Sequence, residues 1–116
     1  MASLGMKGLF NLTSREIDSQ VTKTSPGNYA LGRVSENKFY VYYVGRSDTD
    51  LNGRLKDWVD EYDKFRFSYA ASPKAAFKKE CQNYHDFGET DKLDNKQHPQ
   101  RPDDSNWKCP VCDIFN

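Results

Sequence analysis

Three groups of residues in this 116-residue chain could do chemistry. The first is a lone carboxylate, Glu80. It sits in a segment whose Ala76, Phe77, Cys81 and Tyr84 would span about 140° of arc on a helix turning 100° per residue. Glu80 falls inside that apolar arc, and burying an unpaired carboxylate is costly. Either it pairs with Arg54 or a lysine at the rim, or it is a metal ligand facing Tyr29 and Tyr43. Those two tyrosines are the second group, each at the end of a candidate strand away from the turn that joins them. The third group is sulfur and imidazole. Cys81 and His85 stand at i, i+4 on one helix face, and Cys109-Pro110-Val111-Cys112 has the half-site spacing of a structural zinc knuckle. Together they would make a Cys3His tetrahedron tying the C-terminal tail to the helix of Glu80. His98, in Gln97-His98-Pro99, is a competing ligand. Without a metal, Cys81 is a small buried hydrophobe and the last two cysteines are ordinary thiols.

The elements that must position these groups can be read from periodicity. The densest run of β-branched and aromatic residues is Phe39-Tyr40-Val41-Tyr42-Tyr43-Val44, ending at Gly45-Arg46-Ser47-Asp48. Both of its alternating faces are apolar or aromatic, so it is expected to be a central strand covered on two sides. Tyr29 to Val34 reads as a second strand, joined to it through the polar turn Ser35-Glu36-Asn37-Lys38 as an antiparallel hairpin. Leu51, Leu55, Trp58, Val59 and Tyr62 form a helical stripe over about Asp50 to Tyr62, capped by Asp48 or Thr49, with Arg54 at its shoulder. Phe65, Phe67 and Tyr69 alternate with polar residues as a third strand. Ser72-Pro73 is a helix start, and Gly88 ends that helix. Ahead of all this, Thr13 or Ser14 could cap a short helical turn carrying Ile17 and Val21, while the first ten residues or so are expected to be loosely ordered. Trp107, Val111, Ile114 and Phe115 suggest that the tail docks on the body. The expected organisation is an N-terminal extension over 1–25, a core over 26–98 and a tail over 99–116.

Lysine plus arginine and aspartate plus glutamate are both 17, so no global field draws in a polyanion, and any such partner must be held by a local patch. Mean hydropathy is low at −0.93, yet seven Tyr, seven Phe and two Trp can build an aromatic core. No stretch approaches the roughly 18 apolar residues that cross a bilayer, and the start lacks a signal-peptide core, so no membrane partner and an intracellular, cytoplasmic location are expected. Three cysteines in such a chain favour thiols or metal over disulfides.

Gly27-Asn28-Tyr29, then Tyr43-Val44-Gly45 after one hairpin, Arg54 on the next helix, Glu80 on a later one and Asn95 beyond it resemble the GIY-YIG nuclease domain. The resemblance covers about Pro26 to Asn95, and it is the order of five elements on strand, strand, helix, helix and loop that makes it specific. It implies an α+β fold, a small three-stranded antiparallel sheet flanked by helices, which matches the periodicities. It implies a metal-dependent endonuclease that hydrolyses DNA phosphodiesters. Glu80 would hold a single Mg²⁺ or Mn²⁺, Arg54 would bind the scissile phosphate, and Tyr29 and Tyr43 would surround the attacking water, one of them as general base. Arg46 matches a basic position used for phosphate, and Asn95 a supporting Asn. Three positions depart from the family pattern. Asn28 stands where Ile or Val is usual, a conservative change if that side chain is exposed. The spacing from Tyr43 to Arg54 is one residue longer than is common, and Asp57 and Trp58 occupy the neighbourhood where some members carry a His.

With zero net charge, DNA affinity is expected to be weak and steeply salt-dependent. Specificity would then come from a partner protein, or from a branched, distorted or single-stranded substrate. A non-catalytic nucleic-acid-binding or adaptor module is the competing expectation.

Overall fold

The computed structural model describes residues 4–102 and 105–114. Eight elements follow in the order β1 (Lys7–Asn11), α1 (Ser14–Gln20), β2 (Gly27–Ser35), β3 (Lys38–Ser47), α2 (Leu51–Lys56), β4 (Lys64–Tyr69), α3 (Pro73–Asp86) and α4 (Glu89–Lys92). The strands form one four-stranded antiparallel sheet in the order β1-β4-β2-β3. The class is α+β as expected, with one strand more than expected. Of the stretch expected to be loosely ordered, residues 1–3 lie outside the described residues and Lys7 onward is a strand. Lys7 to Asn11 pair with β4, and Phe10 packs on Phe65 and Phe67 with ring centroids 5.5 and 5.9 Å apart. A five-residue strand containing a glycine carries little periodic signal, so only the tertiary partner reveals it.

β2 and β3 form the expected hairpin. Its turn is tight, with Glu36 and Asn37 both at positive φ, 52° and 65°, the left-handed pair whose twist suits a two-residue connection. β3, however, lies at the sheet's outer edge rather than in its middle. Its outward Tyr40 and Tyr42 are 45% and 37% exposed, so the aromatic residues on that face do not signal cover. The free edge is instead blunted by a loop. Asp94 N–H donates to the Tyr42 carbonyl at 2.5 Å, and the Asn95 amide brackets Val44. Its Nδ2 donates to the Val44 carbonyl at 2.8 Å and its Oδ1 accepts from the Val44 N–H at 3.1 Å.

Side chains leave the two faces of the sheet into separate cores. On one face Tyr29, Leu31, Phe65 and Phe67 pack with Ile17 of α1 and with Leu51 and Leu55 of α2. On the other, Ala30 and Val44 pack with Tyr84 of α3 and with Leu93, while Phe77 and Cys81 meet Cys109 and Trp107. The helix α3 begins where the sequence placed it: Ser72 Oγ accepts from the Ala75 N–H at 3.1 Å and Pro73 follows. The helix α2 is shorter than its apolar stripe. It ends at Lys56, and Trp58 and Tyr62 reach the same core from turns. Neither Asp48 nor Thr49 caps it. Ser47 Oγ orders the approach by accepting from the Thr49 and Asp50 N–H groups at 3.3 and 3.0 Å. Among the described residues no helix is long and apolar enough to cross a membrane.

In the tail, Trp107 docks on Phe77 with ring centroids 5.7 Å apart. Val111 and Ile114 do not dock, being 46% and 55% exposed, and Phe115 lies outside the described residues.

Candidate active site and metal cluster

Tyr29 and Tyr43 leave β2 and β3 on the α2 side of the sheet, and their rings lie nearly parallel with centroids 6.4 Å apart. Tyr29 pairs across the strands with Gly45, and this explains the glycine. A Cβ at position 45 would lie 2.4 Å from both Cζ and the hydroxyl oxygen of Tyr29. The Tyr29 ring therefore occupies the space where the Gly45 side chain would stand. Trp58 fixes the tip: its Nε1–H donates to the Tyr29 hydroxyl at 2.9 Å, while its ring packs on Tyr43 at 4.4 Å. Periodicity marks Trp58 only as a core residue, although a buried indole N–H usually needs an acceptor.

Glu80 leaves α3 on the opposite side. It is 8% exposed and pairs with neither Arg54 nor a lysine. Its partner is Arg46, whose Nη1 reaches Glu80 Oε1 at 2.5 Å. The Arg46 guanidinium is held on every side. Nε donates to Asp48 Oδ1 at 2.9 Å, Nη2 donates to the Gln100 carbonyl at 2.7 Å, and its plane sits 5.2 Å over the Phe77 ring. Arg46 thus stands as the partner of Glu80, with its donors engaged. Arg54 is more than half exposed, with Asp57 3.8 Å away. Asn95 is the β3-edge clamp described above, with both of its hydrogen bonds made to the Val44 backbone. Asn28 is fully buried rather than exposed, so its replacement of Ile or Val is not conservative. Its Nδ2 donates to the Ala76 carbonyl at 2.8 Å and ties β2 to α3.

Tyr29, Tyr43, Arg46, Arg54, Glu80 and Asn95 all line one cavity of about 1170 Å³, which Trp58, Asp48 and residues 97–100 complete. Its electrostatics are set by burial. Burial lifts the Tyr29 hydroxyl far above the ordinary tyrosine range and Tyr43 adds to it, against Arg54 and the Trp58 N–H. Tyr43 is raised by burial and then by Glu80, again against Arg54. Neither tyrosine is a base without added positive charge. Burial also raises the proton affinity of Glu80, with Arg46 pulling the other way. A carboxylate oxygen in a polar cavity with room for water and phosphate suits a hard divalent cation. Arg46 takes only Oε1, leaving Oε2 without a protein donor among the described residues.

A second cluster lies behind this wall. His85, His98, Cys109 and Cys112 bring ligand atoms within 4.8 Å of one another, and could hold a metal ion such as zinc. The set is His2Cys2 rather than Cys3His. Cys81 turns inward with Phe77 beside Cys109, and its buried thiol is pushed well above the ordinary range by burial, then by the neighbouring Cys109. Its place is taken by His98, which the chain between His85 and His98 brings back over α3. Helical spacing alone could not show that return.

Compared with protein-family models, with curated proteins and with solved structures, the chain matches none, so a family reading stands on its own residues and their geometry.

Proposed function

We propose that this protein is a DNA endonuclease of the GIY-YIG type, hydrolysing phosphodiester bonds with a single Mg²⁺ or Mn²⁺ at Glu80. The observation that carries this is the meeting of two tyrosines, an exposed arginine and a buried glutamate in one cavity, drawn from both faces of the sheet. When bound, the cation would polarise the phosphoryl group and stabilise the leaving oxygen. Arg54 supplies a solvent-facing guanidinium able to grip a phosphate through two N–H groups. Tyr29 and Tyr43 orient the attacking water. Positive charge gathered beside them would lower their raised proton affinity, so that one of them could give up its own proton to solvent and, as tyrosinate, take the proton of the water. Trp58 keeps the Tyr29 hydroxyl aimed at the cavity. We also assign Zn²⁺ to the His2Cys2 cluster, as a structural ion in an intracellular setting that keeps cysteines out of disulfides.

One observation favours a second reading, a nucleic-acid-binding or adaptor module without catalysis. The Arg46–Glu80 pair holds the glutamate that the cation needs. A plasmid-nicking assay separates the two. The nuclease reading expects nicks with Mg²⁺ or Mn²⁺, none with chelator and none from Glu80→Ala. DNA binding without nicking in either cation selects the adaptor.

A further inference from the structure

The cluster behind the cleft has the features of a built metal site, and the same segment that carries it walls the cleft. We infer that His85 Nε2, His98 Nε2, Cys109 Sγ and Cys112 Sγ bind one Zn²⁺, and that this ion fixes residues 97–100 against α3 so that Arg46 keeps its place. The site stands independently of the nuclease reading; only its consequence for the cleft rests on that reading.

Both imidazoles are oriented for the ion by partners on their other nitrogen. His85 Nδ1 lies 2.6 Å from Glu89 Oε2, which leaves Nε2 the ligand atom. That Nε2 is buried and has no hydrogen-bond partner among the described residues. A buried ring nitrogen turned toward two sulfurs and left unpaired is costly, and a metal removes the cost. The carboxylate behind it is the arrangement that fixes ring orientation and strengthens a zinc-bound histidine. His98 Nδ1 sits 2.9 Å from the Pro99 carbonyl, so its Nε2 also faces inward, 3.4 Å from Cys112 Sγ. Ligands around a tetrahedral zinc stand about 3.3–3.8 Å apart. The largest spacing here, 4.8 Å, closes to that with side-chain movements of about 1 Å. Cys109 Sγ also accepts from the Val111 N–H at 3.5 Å, as a knuckle sulfur does.

The consequence for the cleft follows from chain continuity. His98 and Gln100 are two residues apart, and residues 97–100 line the cavity. The Gln100 carbonyl accepts from Arg46 Nη2 at 2.7 Å, and Arg46 in turn holds Glu80. Between Glu89 and Lys108 few side chains are apolar apart from Leu93 and Trp107. Apolar burial alone offsets little of that segment's ordering cost.

The test uses the full chain made without a histidine tag. Elemental analysis is expected to find about one zinc per chain, and X-ray absorption two sulfurs at about 2.3 Å and two nitrogens at about 2.0–2.1 Å. The Co²⁺-substituted protein should show thiolate charge transfer and intense tetrahedral bands, kept by Cys81→Ala and lost by His98→Ala. On stripping zinc, amide exchange should quicken at 96–102 and 105–112 while β2 and β4 stay protected. Less than about a tenth of an equivalent of zinc overturns the site. Three sulfurs and one nitrogen around the ion, read on the unmutated protein, overturns the donor set. Unchanged exchange at 96–100 after stripping overturns the link to the cleft. A zinc-loaded protein that never nicks DNA leaves the site standing and sinks only the nuclease reading.

Discussion

Gly45→Ala is the sharpest perturbation available, because it adds one methyl group and no polarity. The Gly45 backbone does not lie at positive φ, so alanine brings no backbone strain there. The whole effect comes from the 2.4 Å approach of the new Cβ to the Tyr29 ring and hydroxyl. An ordinary contact needs at least 3.4 Å, so the ring must retreat by about 1 Å. It has nowhere to go. Tyr29 is 1% exposed, stacks beside Tyr43 and accepts the Trp58 hydrogen bond at 2.9 Å. Overpacking of this kind costs about 1–3 kcal/mol. A 1 Å misplacement of a reacting group costs about 10²-fold in rate. Urea unfolding should therefore show a loss of about 1–3 kcal/mol with unchanged slope. Plasmid nicking at a temperature where the variant is fully folded should fall roughly 10²-fold. An unchanged urea midpoint would refute the packing reasoning. A destabilised variant that nicks at the full rate would show that the Tyr29 hydroxyl takes no part.

Trp58→Phe keeps a ring against Tyr43 but removes the donor to Tyr29. It should cost about 0.5–1.5 kcal/mol in urea and lower nicking more than that loss explains. Glu80→Gln should abolish nicking and destabilise the fold by about 1–3 kcal/mol in thermal or urea melts, because a guanidinium only 13% exposed loses the more buried of its two carboxylate partners and keeps only Asp48. A rise in stability would mean that the burial cost of the Glu80 carboxylate outweighs its pairing with Arg46. Asn95→Ala strips the buried Val44 N–H and carbonyl of their partners at once. A loss of roughly 2–4 kcal/mol is expected, with faster amide exchange along β3 before β2 and β4.

Periodicity carried most of the fold, and it failed where burial and hydrogen bonding part company. The alternation at Phe65 and Phe67, the cap at Ser72 with Pro73, and the face of Ala76, Phe77, Cys81 and Tyr84 all stand where their spacing put them. The stripe through Leu51, Leu55, Trp58 and Tyr62 correctly named a buried face, yet the helix under it ends at Lys56. A turn can present Trp58 and Tyr62 to a core as well as a helix can. β1 was illegible for the converse reason: what makes it a strand is its pairing with β4, and no local pattern encodes that. The zinc donor set failed in the same way. The i, i+4 rule placed Cys81 and His85 on one face, but a face wide enough for both also lets one turn to the core and the other to the rim.

The edge position of β3 is the feature of the site that the sequence hid most completely, and it is the one that makes the site possible. In a central strand, the residues on its two faces are separated by hydrogen-bonded neighbours on both sides, and groups above and below cannot meet. At the outer strand they can meet around the rim. Tyr29 and Tyr43 come from the α2 side, and Arg46 and Glu80 from the α3 side, and all four line the same cavity. Gly45 thins the rim where they approach, because the Tyr29 ring fills the volume a side chain would need. An exposed edge carries the hazard of pairing with another chain. Asp94 and Asn95 cap its Tyr42 and Val44 backbone groups and lead directly into residues 97–100. The loop that protects the edge is therefore the same chain that walls the cleft and, through His98, joins the His2Cys2 cluster. An aromatic run with two apolar faces looks like the middle of a sheet. Here its outward tyrosines are partly exposed, and its last residues are buried by the segment that completes the cleft.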